Sequence, residues 1–121
     1  MSTVDDTTKV RGQVVLPDVE LAGQTADFII QVEDVSRADA PSTVVGEQRI
    51  SSVPVYAGMS IPFTVEIPAE RILPNHSYTV RVHVDMSGSG KVEPADLITM
   101  QSYPVLTQGY GNEVNVSVRR V

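Results

Sequence analysis

Alternation of apolar and polar residues with a period of two is the feature of this chain that most constrains its fold. The clearest example is the segment 78–85, YTVRVHVD, in which a tyrosine and three valines occupy every second position. Such a pattern buries one face of an extended strand and leaves the other face for solvent. The chain is also rich in Val, Ile and Thr, whose branched side chains suit a pleated surface. The segment therefore predicts a half-buried β-strand.

Alternation of the same kind recurs along the chain and predicts an all-β domain. Further strands are predicted at Val10–Leu16, Phe28–Val32, Phe63–Ile67 and Val114–Val118, with weaker ones at Thr43–Ile50 and Leu97–Tyr103. Segments rich in Gly, Pro and Asn separate them. Seven short strands predict an antiparallel β-sandwich of seven to eight strands with Greek-key-like connections, and a small β-barrel is the alternative. We expect one domain over residues 8–121, after a disordered tail at residues 1–7.

Two local features lie between the fourth and fifth predicted strands. The segment Pro68–Leu73 predicts a single helical turn with proline at its first position, which Pro74 would end. Tyr78 follows it at the start of a valine strand, as in the corners of Greek-key sandwiches where a tyrosine hydroxyl bonds back to upstream backbone. We expect Tyr78 to have this structural role.

Composition excludes several classes of function. With 9 Lys and Arg against 15 Asp and Glu, the net charge of −6 lacks the basic field that nucleic acids require. The chain has no Cys, so disulfides, thiolate metal sites and a lipid anchor on cysteine are not expected. No apolar run is long enough to span a membrane, and the start of the chain is polar and acidic, unlike a signal peptide. As written the chain is expected in the cytoplasm, or in the periplasm or cell envelope if a leader with a lipidated cysteine has been removed.

The sequence contains few residues that could perform catalysis. Only His76 and His83 offer an imidazole base, and no serine lies in a nucleophile elbow. Alternation places His83 on the polar face of its strand, where we expect an exposed surface residue. The chain is therefore expected not to be an enzyme and to need no cofactor, with calcium as the single alternative considered next.

The glycine-rich segment 85–96 matches a calcium loop in part. Oxygen-bearing side chains stand at loop positions 1, 3, 5, 9 and 12, which are Asp85, Ser87, Ser89, Glu93 and Asp96, and glycine stands at position 6. Serines at positions 3 and 5 and the shorter aspartate at position 12 would weaken any affinity. A plain glycine-rich β-turn is the competing interpretation.

A second polar segment follows the strand at Phe28–Val32. Short side chains at Asp34, Ser36 and Asp39 can bond local backbone amides, and Arg37 can pair with Asp34 or Asp39. Two interpretations stay open, a structural lock of the loop and a partner-binding loop.

The order of these motifs resembles a known family. Leu16-Pro17, VEDVSRADA at 32–40, IPFTV at 61–65, YTVRV at 78–82, YPVLT at 103–107 and a final valine strand are similar to the YbaY/YscW family over Val10–Val121. The resemblance implies a compact, non-catalytic β-sandwich related to pilotins, the chaperones of type III secretion outer-membrane rings. Members typically carry a signal peptide and a lipidated cysteine, and this sequence shows neither.

Our leading hypothesis is a non-enzymatic domain that binds another protein or peptide, by strand addition at an exposed sheet edge. The alternative is a structural module stabilised by calcium at the 85–96 loop. The sequence leaves the identity of the partner and the oligomeric state open.

Overall fold

The computed structural model describes residues 6–21, 24–37 and 40–121, and its regular structure is almost entirely β-strand. Along these residues run β1 (Thr7–Val15), β2 (Thr25–Asp34), β3 (Thr43–Pro54), β4 (Ser60–Pro68), a short 3-10 helix (Ala69–Arg71), β5 (Tyr78–Asp85), β6 (Leu97–Ile98), β7 (Pro104–Val105), β8 (Glu113–Ser117) and β9 (Arg119–Arg120). The all-β prediction is confirmed. Thr7, assigned above to the tail, is the first residue of β1. No helix within the described ranges has the length and apolar character needed to cross a membrane.

The strands form two sheets. The small sheet has the order β4-β1-β8, and the large sheet has the order β3-β2-β5-β6-β9, with β7 also paired to β5. Across residues 6–21, 24–37 and 40–121 no backbone ladder joins the two sheets, so the fold is a sandwich and not a closed barrel. The chain passes from one sheet to the other at Val118, between β8 and β9.

One strand pairing differs from the antiparallel arrangement that we expected. β1 and β8 run parallel, with Arg11 opposite Glu113 and Val15 opposite Ser117. Parallel neighbours need a long connection, and nearly the whole chain lies between these two strands. Gly12 allows the close approach, because a Cβ atom there would lie 1.6 Å from the carbonyl oxygen of Val114.

The alternating apolar residues meet between the two sheets. Fully buried side chains include Val10, Val14, Val65 and Ile67 from the small sheet and Phe28, Ile30, Val32, Val80, Val82 and Val84 from the large one. Burial of these side chains supplies most of the driving force for folding, at about 25 cal/mol per Å² of apolar surface. The strands that carry the site are therefore fixed from one side by a continuous core.

Two local predictions need correction. The weak strand expected at Leu97–Tyr103 is reduced to Leu97–Ile98. In place of a regular ladder, the Val82 N–H donates to the Thr99 hydroxyl and the Val80 N–H donates to the Tyr103 carbonyl. The expected helical turn is present, but Pro68 precedes it with extended backbone (φ −56°, ψ 131°), and the helix begins at Ala69.

Candidate functional site

The last residue of β5 and the connection to β6 contain the five residues that the sequence suggested for calcium. Asp85 and Asp96, the first and the last of them, are 3% and 1% exposed. Ser87 and Ser89 are exposed, and Glu93 is half-buried. The loop therefore turns its two aspartates inward and its serines outward.

Asp85 fastens the glycine-rich turn to the end of β5. Its Oδ1 accepts a hydrogen bond from the Gly88 N–H at 3.0 Å and lies 3.3 Å from the Ser87 hydroxyl oxygen, and its Oδ2 accepts one from the Gly90 N–H at 2.8 Å. Both glycines have positive φ (77° and 79°), a conformation that other residues adopt at a cost. The carboxylate and the two glycines together define the turn.

Asp96 closes the same loop from its other end. Its Oδ1 accepts from the Met86 N–H at 2.9 Å, and its Oδ2 accepts from the Glu93 N–H at 3.1 Å and lies 2.8 Å from His83 Nε2. Burial raises the pKa of Asp96, but the hydrogen bonds from His83 and the two backbone amides outweigh it and hold the pKa below its ordinary value of 3.8. The carboxylate is ionised at neutral pH although it is buried.

The prediction that His83 is an exposed surface residue is wrong. Its side chain is only 14% exposed, because the loop folds back and places Asp96 against the ring. His83, Asp85 and Asp96 offer ligand atoms that lie within 4.8 Å of one another. Alternation along β5 predicts the face of the sheet correctly, but it carries no information about a loop that returns over that face.

The five suggested calcium residues are connected mainly to one another and to backbone. The Ser87 hydroxyl donates to Glu93 Oε2 at 2.7 Å and lies 3.1 Å from the Ser89 hydroxyl. Each carboxylate oxygen of Asp85 and Asp96 accepts a backbone N–H. This geometry is typical of a hydrogen-bonded turn that needs no ion, and calcium binding stays a prediction.

The segment after β2 is locked to the corner before β5. Asp34 Oδ1 accepts from the Ser36 N–H at 3.0 Å and the Ser36 hydroxyl at 2.6 Å, while its Oδ2 lies 2.6 Å from His76 Nδ1. The Ser36 hydroxyl oxygen accepts the Ser77 N–H at 2.9 Å. Burial raises the pKa of Asp34, and the hydrogen bonds from Ser36 and His76 more than offset it and lower that pKa. These contacts are those of a structural lock.

The other two residues suggested for this loop have different outcomes. The carboxylate of Asp34 bonds to Ser36 and His76 and not to Arg37, so the pairing of Arg37 with Asp34 that the sequence suggests does not form. Arg37 is exposed, and Asp39 lies outside the described residues. A partner-binding role for Arg37 and Asp39 stays a prediction.

The tyrosine corner is present as expected. The Tyr78 hydroxyl donates to the Arg71 carbonyl at 2.9 Å and accepts from the Leu73 N–H at 2.8 Å. Tyr78 is 2% exposed, and its ring packs in the core. It ties the 3-10 helix to the first residue of β5.

Comparison with known proteins identifies the family. The family model described as type III secretion system lipoprotein chaperone (YscW) matches residues 5–118. The chain belongs to the YscW family. The resemblance inferred from the sequence motifs is thereby confirmed.

A solved structure with a similar fold is that of an alternative pilotin from the type II secretion system of Vibrio cholerae. It aligns with a TM-score of 0.76 and 24% sequence identity, over 95% of this chain and 97% of that chain. This likeness shows that the β-sandwich is shared. A search of curated proteins gave no match.

Two outer backbone edges of this YscW domain are closed in part. On β4, the Thr64 N–H points away from β1 and donates to the Gln48 side chain at 2.8 Å. Alternate residues share this direction, and Pro62 and Pro68 have no N–H to offer there. On β8, the Ser117 N–H and C=O are both taken by the Tyr103 hydroxyl, at 3.0 and 3.2 Å.

An open cleft of about 570 Å³ lies beside the first half of β1. It is lined by Thr7, Thr8, Lys9, Arg11, Asn112 and Glu113. The cleft exists because β8 begins at Glu113, opposite Arg11, and leaves the start of β1 uncovered on that side.

Proposed function

We propose that this chain is a non-enzymatic, chaperone-like domain that binds a protein component of a bacterial secretion system. The observation that carries the proposal is the YscW family match, which extends over residues 5–118 and so includes every strand from β1 to β8. The similar fold of a type II secretion pilotin is consistent with it. The mode of binding that we propose is addition of an extended partner segment to a sheet edge.

The use of the polar side chains supports a binding role over a catalytic one. Both histidines face a carboxylate, His76 that of Asp34 and His83 that of Asp96. The same carboxylates also accept backbone N–H groups, so the two pairs hold loops in place. In this arrangement each imidazole is tied to a structural partner.

Capture from the native bacterium tests the proposal. The tagged chain is expressed in cells that produce their secretion apparatus, cross-linked and purified, and the bound proteins are identified by mass spectrometry against an unrelated acidic β-sandwich bait. We expect a secretion-system component to be enriched and to bind the purified chain in calorimetry. If no component is enriched, or if none binds when both proteins are pure, the proposal is wrong.

The calcium-stabilised module is tested separately. Calorimetric titration with calcium and a thermal melt at millimolar calcium decide it, since ligand binding to the folded state raises the melting temperature. Loop residues Asp85 and Asp96 are already bonded to backbone N–H groups, so we expect no shift. A melting temperature that rises with calcium, and does not rise in Asp85→Asn, would favour the alternative.

A further inference from the structure

We infer that the first half of β1, at Thr7 and Lys9, is the edge that receives an extended segment of the partner protein. This inference rests on the proposed protein-binding function and names the site at which it operates.

Backbone directions along β1 follow from hydrogen bonds at its far end. The Arg11 N–H donates to the Asn112 carbonyl at 2.8 Å, and the Val15 carbonyl accepts from Val118 N–H at 3.2 Å. Odd-numbered residues of β1 therefore direct their N–H and C=O groups toward β8. Because alternate residues of a strand share one direction, Thr7 and Lys9 point the same way.

β8 does not reach these two residues. Its pairing with β1 begins at Arg11 and Glu113, so the N–H and C=O groups of Thr7 and Lys9 face the 570 Å³ cleft. Within the described parts of the chain, no backbone bond occupies them. On the other side the same residues remain in register with β4, Thr7 opposite Pro68 and Lys9 opposite Glu66.

The cleft suits an extended segment and not a helix. A helix satisfies its own backbone groups internally, whereas a strand presents donors and acceptors at the spacing of a neighbouring strand. The lining of the cleft is polar throughout and lacks an apolar groove for a helix face. Bonding through the main chain tolerates many side chains, which suits a chaperone-like role.

Two edges of the small sheet are less suitable. Two prolines and Gln48 close the outer edge of β4, and the Tyr103 hydroxyl closes the end of β8 at Ser117. The start of β1 thus combines an open cleft with backbone donors and acceptors that have no backbone partner among the described residues.

A synthetic strand probe tests the inference. The probe is the capped heptapeptide acetyl-Lys-Thr-Val-Thr-Val-Thr-Lys-amide, and its control is the same peptide N-methylated at every internal residue, which removes the N–H donors from both of its edges. Binding is followed by amide NMR shifts and amide hydrogen exchange on the full chain. We expect shifts and slowed exchange at Thr7 and Lys9, while Thr8 and Val10 are protected by β4 even without the peptide.

Single substitutions separate the edge from side-chain effects. Lys9→Pro removes the N–H that faces the cleft, and proline is tolerated where a strand N–H points outward. We expect it to weaken probe binding about tenfold, the effect of one unsatisfied hydrogen bond. Lys9→Ala keeps the N–H, and Asn115→Pro alters the β8 edge, so both are expected to bind within about twofold of the unaltered chain.

Each outcome supports or overturns the inference. Shifts confined to another edge, equal binding of the N-methylated peptide, or no binding at millimolar probe would overturn it. The N-methylated peptide keeps the test valid even if Lys9→Pro fails to fold. If a purified secretion component binds the unaltered chain and Lys9→Pro equally, the edge inference fails while the protein-binding function stands.

Discussion

Replacement of Asp96 by Asn tests whether the β5–β6 loop is held by its own backbone bonds. Asp96 is 1% exposed, and its two carboxylate oxygens accept N–H groups from Met86 and Glu93 and bond to His83. An asparagine has nearly the same shape but one acceptor and one NH2 donor. In either orientation of the amide, the N–H of Met86 or of Glu93 faces that NH2 group.

The expected cost follows from these contacts. Leaving one backbone donor without an acceptor costs about 1–3 kcal/mol, and the charge-assisted bond to His83 is weakened as well. We therefore expect Asp96→Asn to lower the free energy of unfolding by about 2 kcal/mol. For 121 residues, an unfolding entropy of about 2.1 cal/mol/K per residue converts this into a melting temperature about 8 °C lower.

Urea denaturation followed by circular dichroism measures the effect, with Asp18→Asn as the control. Asp18 is exposed, so its substitution makes the same change in charge without removing a buried acceptor. The reasoning is refuted if the two variants differ by less than about 0.5 kcal/mol, since surface substitutions fall in that range. A shift of the denaturation midpoint with an unchanged slope would locate the effect in the folded state.

Three further predictions concern acid, the tyrosine corner and the β1–β8 contact. Because the folded pKa of Asp96 is lowered, its stabilisation is fully present above the unfolded value of 3.8 and is lost as pH falls through the lower folded pKa. As the pH is lowered to about 3, the urea midpoint of Asp96→Asn should therefore fall less steeply than that of the unaltered chain. Equal dependence of the two midpoints on pH would contradict this. Tyr78→Phe should cost about 1–2 kcal/mol by urea titration, whereas Tyr110→Phe, at a residue 53% exposed, should be near neutral. Gly12→Ala would place a Cβ 1.6 Å from a β8 carbonyl oxygen and should lower the free energy of unfolding by more than about 3 kcal/mol in the same titration. At Gly111 a Cβ would meet open space, so Gly111→Ala is the control. If Gly12→Ala loses no more stability than Gly111→Ala, the packing of β1 against β8 is not as described.

Strand positions could be predicted because burial in the core imposes them locally. Val80, Val82 and Val84 are buried as their alternation required, and Tyr78 makes the corner that its position suggested. Each of these predictions uses neighbours that are close in sequence and a core that selects one face of the strand.

Pairings between distant segments could not be predicted in the same way. The parallel contact of β1 with β8 joins strands at opposite ends of the chain, and no local pattern distinguishes it from an antiparallel one. The bond from His83 to Asp96 depends on how the intervening loop returns over the sheet. The calcium-like spacing of 85–96 was present in the sequence, but the spacing of oxygen atoms does not show that backbone N–H groups already bind them.

An edge that accepts a partner strand must also avoid pairing with a second copy of the same chain. Sheet proteins manage this with short edges, prolines and charged residues, and this domain shows each of them. Prolines stand on β4, and the open part of β1 is only Thr7 to Lys9 before β8 begins. Lys9 is exposed there and lies 3.9 Å from Glu66, a surface pair that contributes little to stability. Its charge lies beside the N–H groups of β1 that face the cleft, so it opposes self-pairing while the backbone can still pair with an extended segment of a different protein.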